Sequence, residues 1–246
     1  MTRHGGSYDL RRGARRLVAR MDLLRLAGLA IAGHWVWLLI LLPLLWLAAR
    51  ALMAAISPTG GFDPVDAQVG LMGIPLAALG IILGLRIIAG EMDGRSLEIA
   101  YTVPGGCERV WWSKLAAGAL ILLIAALLVG AVTYYWFTDY PLITLYGALQ
   151  GAVFYLVMSM ALATLFRSEV AGAMATVAVL AVDLLILGGQ GVRASPFWNP
   201  LAVTDPDPEV IFAMTVQNRV GVPIFIALVI GLAFMRANRR ERMLGG

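Results

Sequence analysis

The sequence has little charge and few polar side chains. Charged residues make up 14% of its 246 residues, hydrophobic residues make up 60%, and the mean hydropathy is +0.82. A soluble domain of this composition would not have enough polar groups to cover its surface. The composition therefore excludes an ordinary soluble globular protein and indicates an integral membrane protein.

Side chains that carry catalysis or hold metals are also scarce. The single cysteine, Cys107, excludes an intramolecular disulfide framework, and two histidines leave little material for a metal centre. The sequence contains no G-x-x-x-x-G-K-S/T phosphate loop, no H-E-x-x-H run and no G-x-S-x-G run. We therefore expect no metal site, no nucleotide site and no catalysis within this chain.

Long apolar runs are what the sequence has in abundance. Crossing the hydrocarbon takes about 20 apolar residues in a helix, and strands of a membrane barrel would alternate polar with apolar positions. The predicted fold is all-α, a single polytopic transmembrane domain over residues 1–246. Its six transmembrane helices are predicted at about 33–54, 67–89, 115–138, 141–166, 169–188 and 217–236.

Some boundaries and kinks within these spans are also predicted. Pro43 lies inside the first span and Pro75 inside the second, and membrane bundles tolerate the kinks that such prolines cause. The boundary between the fourth and fifth spans runs only from Phe166 to Glu169. We therefore expect a tight helical hairpin at that point.

The distribution of arginine and lysine sets the orientation. With the N-terminus in the cytoplasm, 16 of the 19 basic residues lie on or near the inner side and three lie on or near the outer side. Both termini are thus predicted to be cytoplasmic, with residues 55–66 and 189–219 outside and residues 90–114 inside. This placement of charge also argues against binding of nucleic acid.

The N-terminal residues 8–30 combine helical apolar spacing with many arginines. This pattern predicts an amphipathic helix that lies along the inner membrane surface. The alternative is a basic tail that only sets the topology. The apolar positions are Leu10, Ala14, Leu17, Val18, Met21 and Leu24.

The predicted inner segment 90–114 is long, polar and acidic. We expect a short helix over Arg95 to Thr102, ended by Pro104. Its acidic residues, glycines and final lysine indicate a surface that docks a soluble partner. The alternative is an ordinary inner loop whose glycines only permit turns. The residues that carry the pattern are Glu91, Gly94, Glu98, Pro104 and Lys114.

This order of residues resembles the segment after the second span in permeases of type-2 ABC exporters. In that family an acidic residue, a Gly-Thr or Gly-Ser pair, a glutamate, a proline and a lysine recur, although here Arg95 separates Gly94 from Ser96. The six-span plan, the N-terminal helix and the long outer loop resemble the family too. The resemblance implies a coupling segment that docks on an ATPase through Glu91, Gly94, Arg95, Glu98, Tyr101 and Pro104.

The resemblance further implies a working unit of two permease chains, as a homodimer, with a dimeric cytoplasmic ABC ATPase in a bacterial inner membrane. ATP and magnesium would be bound by the ATPase, so this chain needs no cofactor. Its cargo would be apolar or amphipathic, and membrane lipids would surround it. A non-transporting component that transmits ATPase motion to a partner protein is the alternative, and an intramembrane enzyme is a weaker one.

Two charged side chains fall inside predicted spans. Arg50 lies about 17 residues and Asp183 about 14 residues from the cytoplasmic ends of their spans, so at ~1.5 Å per residue their depths agree within about 5 Å. Charges within a membrane are costly and usually pair or face a cavity. We expect a structural ion pair between them, and a polar contact with the substrate is the alternative.

The predicted outer loop 189–219 is rich in turn formers and aromatic residues. Phe197 and Trp198 are of the type that favours the membrane interface. After Pro208, the run from Glu209 to Val216 predicts a short interfacial or re-entrant helix, as in type-2 exporters. The alternative is an apolar loop that rests on the lipid headgroups.

Thiol labelling in intact cells tests the predicted topology. In a Cys107-free background, Ser57→Cys and Ser195→Cys should react with an impermeant reagent. Ser96→Cys should react only after lysis, because the arginine excess places it inside. Labelling of Ser96→Cys in intact cells, or protection of Ser57→Cys, would overturn this orientation.

Overall fold

The computed structural model of this chain describes residues 26–29, 31, 36–56, 62–93, 107–185, 192–203 and 207–238. Every regular element within these ranges is helical. A short α-helical turn, Pro64–Asp66, and a π-helical segment, Ala67–Gly73, precede α2, and a 3-10 turn, Pro200–Ala202, precedes α6. The long helices are α1 (Val36–Ile56), α2 (Ile74–Asp93), α3 (Cys107–Trp136), α4 (Leu142–Phe166), α5 (Glu169–Leu185) and α6 (Pro208–Ala237).

Five of the helices are long and apolar enough to cross a membrane, which indicates a membrane-embedded helical protein. They are α1, the continuous helix from Pro64 through α2, and α3, α4 and α6. The remaining predicted span corresponds to α5, which has 17 described residues. Of the predicted N-terminal helix over 8–30, only residues 26–29 are described, and they are helical. The rest of that prediction lies outside the described part of the chain.

The last helix is longer than the sequence indicated. The Asp207 carboxylate accepts a hydrogen bond from the Glu209 N–H over 2.9 Å and caps the helix, and Pro208 follows at its first position. These are standard signals for a helix start. The run Glu209 to Val216 is therefore the first part of α6, and the prediction of a separate interfacial or re-entrant helix there is wrong.

A π-helical segment precedes the proline of the second predicted span. Proline has no N–H, so Pro75 cannot donate to the Gly70 carbonyl as residue i+5 of a π-helix would. Trp46 of α1 replaces that donor, because its Nε1–H donates to the Gly70 carbonyl over 2.9 Å. The local distortion thus also fixes α1 against the start of the second span.

Helix α4 lies at the centre of the bundle, where it packs against α2, α3, α5 and α6. Its most extensive contact is with α2, because two glycines of α2 let the backbones approach closely. A Cβ on Gly80 would lie 2.6 Å from the Ala152 carbonyl oxygen, and one on Gly84 would overlap the Leu156 carbonyl and the Ser159 hydroxyl. Helices associate in apolar surroundings by this close packing of small residues.

The tight hairpin between α4 and α5 is confirmed. Arg167 ends α4 with a φ of 56°, in the left-handed region, and its N–H bonds to the Ala163 carbonyl. The Ser168 N–H donates to the same carbonyl over 3.3 Å. One left-handed residue therefore reverses the chain, and Gly172 of α5 then packs against Ala163 without a side chain between them.

Burial is uneven across the bundle. The helix that includes α2 is mostly enclosed by its neighbours, whereas α1 and α6 expose most of their length. The exposed side chains of α1 and α6 are largely leucine, isoleucine, valine and phenylalanine. Such surfaces are typical of helices that contact lipid or a further transmembrane chain.

Replacing Gly84 by alanine tests the α2–α4 contact. The new methyl group would overlap a backbone carbonyl of α4, so the helices must separate at a cost of about 1–3 kcal/mol. Gly84→Ala should therefore lower the melting temperature in detergent. Gly231→Ala on α6 is the matched control, because a Cβ there meets nothing within 4 Å. Equal losses for the two variants would contradict this account of the packing.

Candidate functional site

A buried polar cluster joins the end of α2 to the start of α3. We call Glu91, Trp111 and Lys114 the Glu91 cluster. Lys114 Nζ lies 2.7 Å from Glu91 Oε1, and Trp111 Nε1–H donates to Glu91 Oε2 over 3.2 Å. All three side chains are buried. Each carboxylate oxygen thus has a donor, which is what a buried charge requires.

The Glu91 cluster fixes the two ends of the segment that links α2 to α3. Helix α2 ends at Asp93, two residues after Glu91, and α3 begins at Cys107, four residues before Trp111. The Trp111 ring also contacts Phe234 of α6, with 5.6 Å between ring centroids. A force on residues 94–106 would consequently reach α2 and α3 together, and α6 through the aromatic contact.

One of the predicted docking residues has a different role in the structure. Glu91 is only 8% exposed and its carboxylate faces α3, so it belongs to the interior and not to a docking surface. The Glu91 carboxylate forms an ion pair with Lys114, and the sequence alone did not indicate this pairing. The other predicted docking residues, Gly94, Arg95, Glu98, Tyr101 and Pro104, lie outside the described part of the chain.

At the opposite end of the bundle, residues 192–203 form an inserted loop. Phe197, Trp198 and Asn199 of this loop are completely or almost completely buried. The Phe197 ring packs against Gly73 and against Gly151 of α4. A Cβ added to Gly73 would lie 3.0 Å from the ring, and a Cβ added to Gly151 would overlap it. The two glycines therefore create the slot that receives the loop.

Amide and guanidinium side chains of the helices hold the inserted loop. Gln68 Nε2 donates to the carbonyls of Phe197 and Trp198, over 2.8 and 3.0 Å. Asn218 Nδ2 donates to the Ser195 carbonyl over 2.8 Å, and Arg219 Nη2 donates to Trp198 over 3.3 Å. A loop without regular structure carries unpaired carbonyls, and these donors satisfy them inside the apolar bundle.

The expected membrane-interface position of Phe197 and Trp198 is therefore corrected. Both rings lie inside the helix bundle, and the Trp198 indole donates to the Thr215 hydroxyl over 3.1 Å. The sequence contained a signal that we did not use. Gln68 and Gln150 stand alone in apolar spans, where isolated amides usually have a buried partner.

The structure does not bring Arg50 and Asp183 together. Asp183 accepts a hydrogen bond from the Tyr155 hydroxyl over 3.1 Å. The Arg50 guanidinium instead lies near Gly70: a Cβ added to this glycine would be 3.8 Å from Arg50 Nη2. Helix α5, which carries Asp183, packs on α2 and α4, whereas α1 packs on α2 and α3. Equal depth does not imply contact, because the two helices are on different sides of the bundle.

Two cavities flank α6. The first cavity has a volume of about 390 Å³ and is lined by residues that include Phe154, Arg193, Gln217, Gly221, Val222 and Phe225. The second cavity has a volume of about 310 Å³ and is lined by residues that include Tyr146, Gln150, Pro223 and Ile226. Between them, the Gln150 amide of α4 donates to Asn218 of α6 over 2.9 Å. Helix α6 thus contacts α4 through this amide hydrogen bond between the cavities, and through the Phe154 and Phe225 rings at the first cavity.

The described residues offer no candidate metal site. Within the described residues, no three histidine, cysteine, aspartate or glutamate side chains lie close enough to hold a metal ion. Outside the helices, burial and then the neighbouring Tyr134 raise the pKa of Tyr140, so its phenol stays neutral at physiological pH. The hydrogen bonds described here position groups within the bundle.

The structure shows that one of the positions for thiol labelling is not accessible. Ser195 is fully buried in the inserted loop, with its hydroxyl accepting from the Phe197 N–H. Its neighbour Ala194 is exposed. The topology experiment is therefore better done with Ala194→Cys.

The Glu91 cluster can be tested by a double-substitution cycle. Glu91→Gln and Lys114→Met each leave a buried charge without its partner, which should cost about 3–5 kcal/mol. The double variant removes both charges and should recover most of that loss. Thermal unfolding in detergent measures all four proteins. Additive losses would contradict a direct pair.

No protein-family model, curated protein or solved structure matches this chain. The function is therefore argued from the residues and from the geometry described above.

Proposed function

We propose that this chain is the membrane-spanning permease subunit of an ATP-driven ABC exporter, located in a bacterial inner membrane. In this proposal it has six spans and a surface helix at the N-terminus, with both termini in the cytoplasm. A separate dimeric ATPase docks on residues 94–104 and supplies the energy. A second copy of the chain completes the transport path, and the cargo is apolar or amphipathic.

The Glu91 cluster is the observation that best supports this proposal. An exporter that takes energy from a separate ATPase needs a rigid link from the docked segment to its helices. Lys114 Nζ and Glu91 Oε1, 2.7 Å apart in a buried environment, tie both ends of the segment to one point. A push on the segment would then move α2 and α3 as one body, because the ion pair holds the two helices together.

The α2–α4 contact supports the next step of the proposal. Because Gly80 and Gly84 bring the two backbones into direct contact, α2 has little freedom to slide on α4. Movement of α2 would therefore carry α4 with it. Helix α6, which is mostly exposed and has a cavity on either side, is the element that would change position between two states.

The absent phosphate loop supports a separate source of energy. No G-x-x-x-x-G-K-S/T run occurs in the 246 residues, so ATP and magnesium would be bound by the partner. A non-transporting component that transmits ATPase motion to another protein would use the same link.

Copurification tests the proposal. The chain, tagged and purified from membranes of the cells that produce it, should carry magnesium-dependent ATP hydrolysis. Glu98→Lys should lower the hydrolysis that copurifies by about tenfold or more, because like-charge contacts at an interface cost several kcal/mol. Its membrane level should stay unchanged. Stimulation of the hydrolysis by an amphipathic compound would favour export over the purely mechanical role.

Glu209→Lys is the matched control for this experiment. Glu209 is an exposed acid in the first turn of α6, at the opposite end of the bundle from the Glu91 cluster. It should leave the hydrolysis unchanged. Absence of ATP hydrolysis with the native chain would overturn the proposal, and equal hydrolysis with Glu98→Lys would overturn the docking assignment alone.

A further inference from the structure

We propose that the first cavity beside α6 binds an anionic phospholipid from the surrounding bilayer, with the phosphate near Arg193 and an acyl chain along Phe154 and Phe225. The binding does not depend on the ATPase partner. It goes beyond the proposed transport function, since it assigns a fixed lipid site and not a cargo.

The interior of the first cavity is suited to hydrocarbon. Phe154 of α4 and Phe225 of α6 stack with 5.8 Å between their ring centroids, and Val222 lies beside them. At Gly221 a Cβ would meet nothing within 4 Å, so the wall is recessed there. A volume of about 390 Å³ is within the range of proteins' ligand sites, which runs from roughly 300 to 1,000 Å³.

The polar end of the cavity carries a positive charge. Arg193 Nη1 donates to Gln217 Oε1 over 3.1 Å, which orients the guanidinium at the cavity wall. Within the described residues, no carboxylate lies within 4.0 Å of Arg193. A guanidinium has five N–H donors in a planar fork that fits a phosphate. The unneutralised charge therefore favours an anionic head group.

The cavity borders an exposed apolar surface of α6. Phe225, which lines it, is 46% exposed, and Val220 and Ile224 on the same helix are exposed as well. These side chains belong to a helix that is long and apolar enough to span a membrane. A molecule that dissolves in the bilayer can therefore enter from the side, whereas a soluble anion would find an apolar interior.

Native mass spectrometry of the chain released from nanodiscs tests the site. Nanodiscs of equal parts phosphatidylglycerol and phosphatidylcholine would be used, and the retained lipid counted. The native chain should retain phosphatidylglycerol preferentially. Arg193→Gln should reduce that retention about tenfold, because this is the change in binding expected from the loss of one hydrogen bond to a charged group. Arg193→Lys keeps the charge and should preserve most of the preference.

A second pair of variants tests the acyl-chain part. Gly221→Leu should fill the recess and reduce retention of both lipids, while Gly231→Leu, on the same helix where a Cβ also meets nothing within 4 Å, should not. Gly221→Val is the milder choice if thermal unfolding shows that Gly221→Leu does not fold. Arg236→Gln, an exposed arginine at the other end of α6, is the charge control.

Several results would overturn the lipid site. Equal retention of the two lipids by the native chain would contradict the preference for an anionic head group. A loss with Arg236→Gln as large as with Arg193→Gln would mean general attraction to anionic lipid. Equal effects of Gly221→Leu and Gly231→Leu would show that the cavity is not occupied by lipid.

Discussion

Backbone groups in an apolar medium must find their partners within the protein, and most of the features of this chain follow from that requirement. Regular helices meet it by themselves. Where the chain departs from a regular helix, a side chain supplies the missing donor. Trp46 donates to the carbonyl left by the π segment before Pro75, and Gln68 donates to two carbonyls of the inserted loop. The irregular parts thus also tie different helices to each other.

The sequence indicates the helices well because length and apolar composition are local properties. The hairpin at Arg167 was predicted for the same reason, since a short polar break between two apolar runs permits little else. The inserted loop was not predicted. Its partners are distant in sequence, with Gln68 lying 129 residues from Phe197, and composition carries no information about such pairings. Nor does equal depth reveal which sides of the bundle two helices occupy, which is why Arg50 and Asp183 were paired incorrectly.

The two ends of the bundle are built in different ways. At one end a single buried ion pair, Glu91 with Lys114, connects two helices over a short distance. At the other end, the Gln68 and Asn218 amides and the Arg219 guanidinium together hold one loop. An ion pair in apolar surroundings has a steep energy profile, and it resists deformation. Amide hydrogen bonds to a loop are individually weaker and can be exchanged one at a time. In the proposed exporter, force would enter at the stiff end and movement would be accommodated at the other.

The inserted loop has a consequence for how the chain assembles during synthesis. Its donors come from residue 68, early in the sequence, and from Asn218 and Arg219, which are synthesised after the loop itself. Until α6 has been synthesised, the Ser195 carbonyl lacks its Asn218 donor and the Trp198 carbonyl has the Gln68 donor without the Arg219 donor. The full set of donors to the loop is therefore present only after the last helix has been made. A chain that stops before α6 would leave the loop without its Asn218 and Arg219 donors.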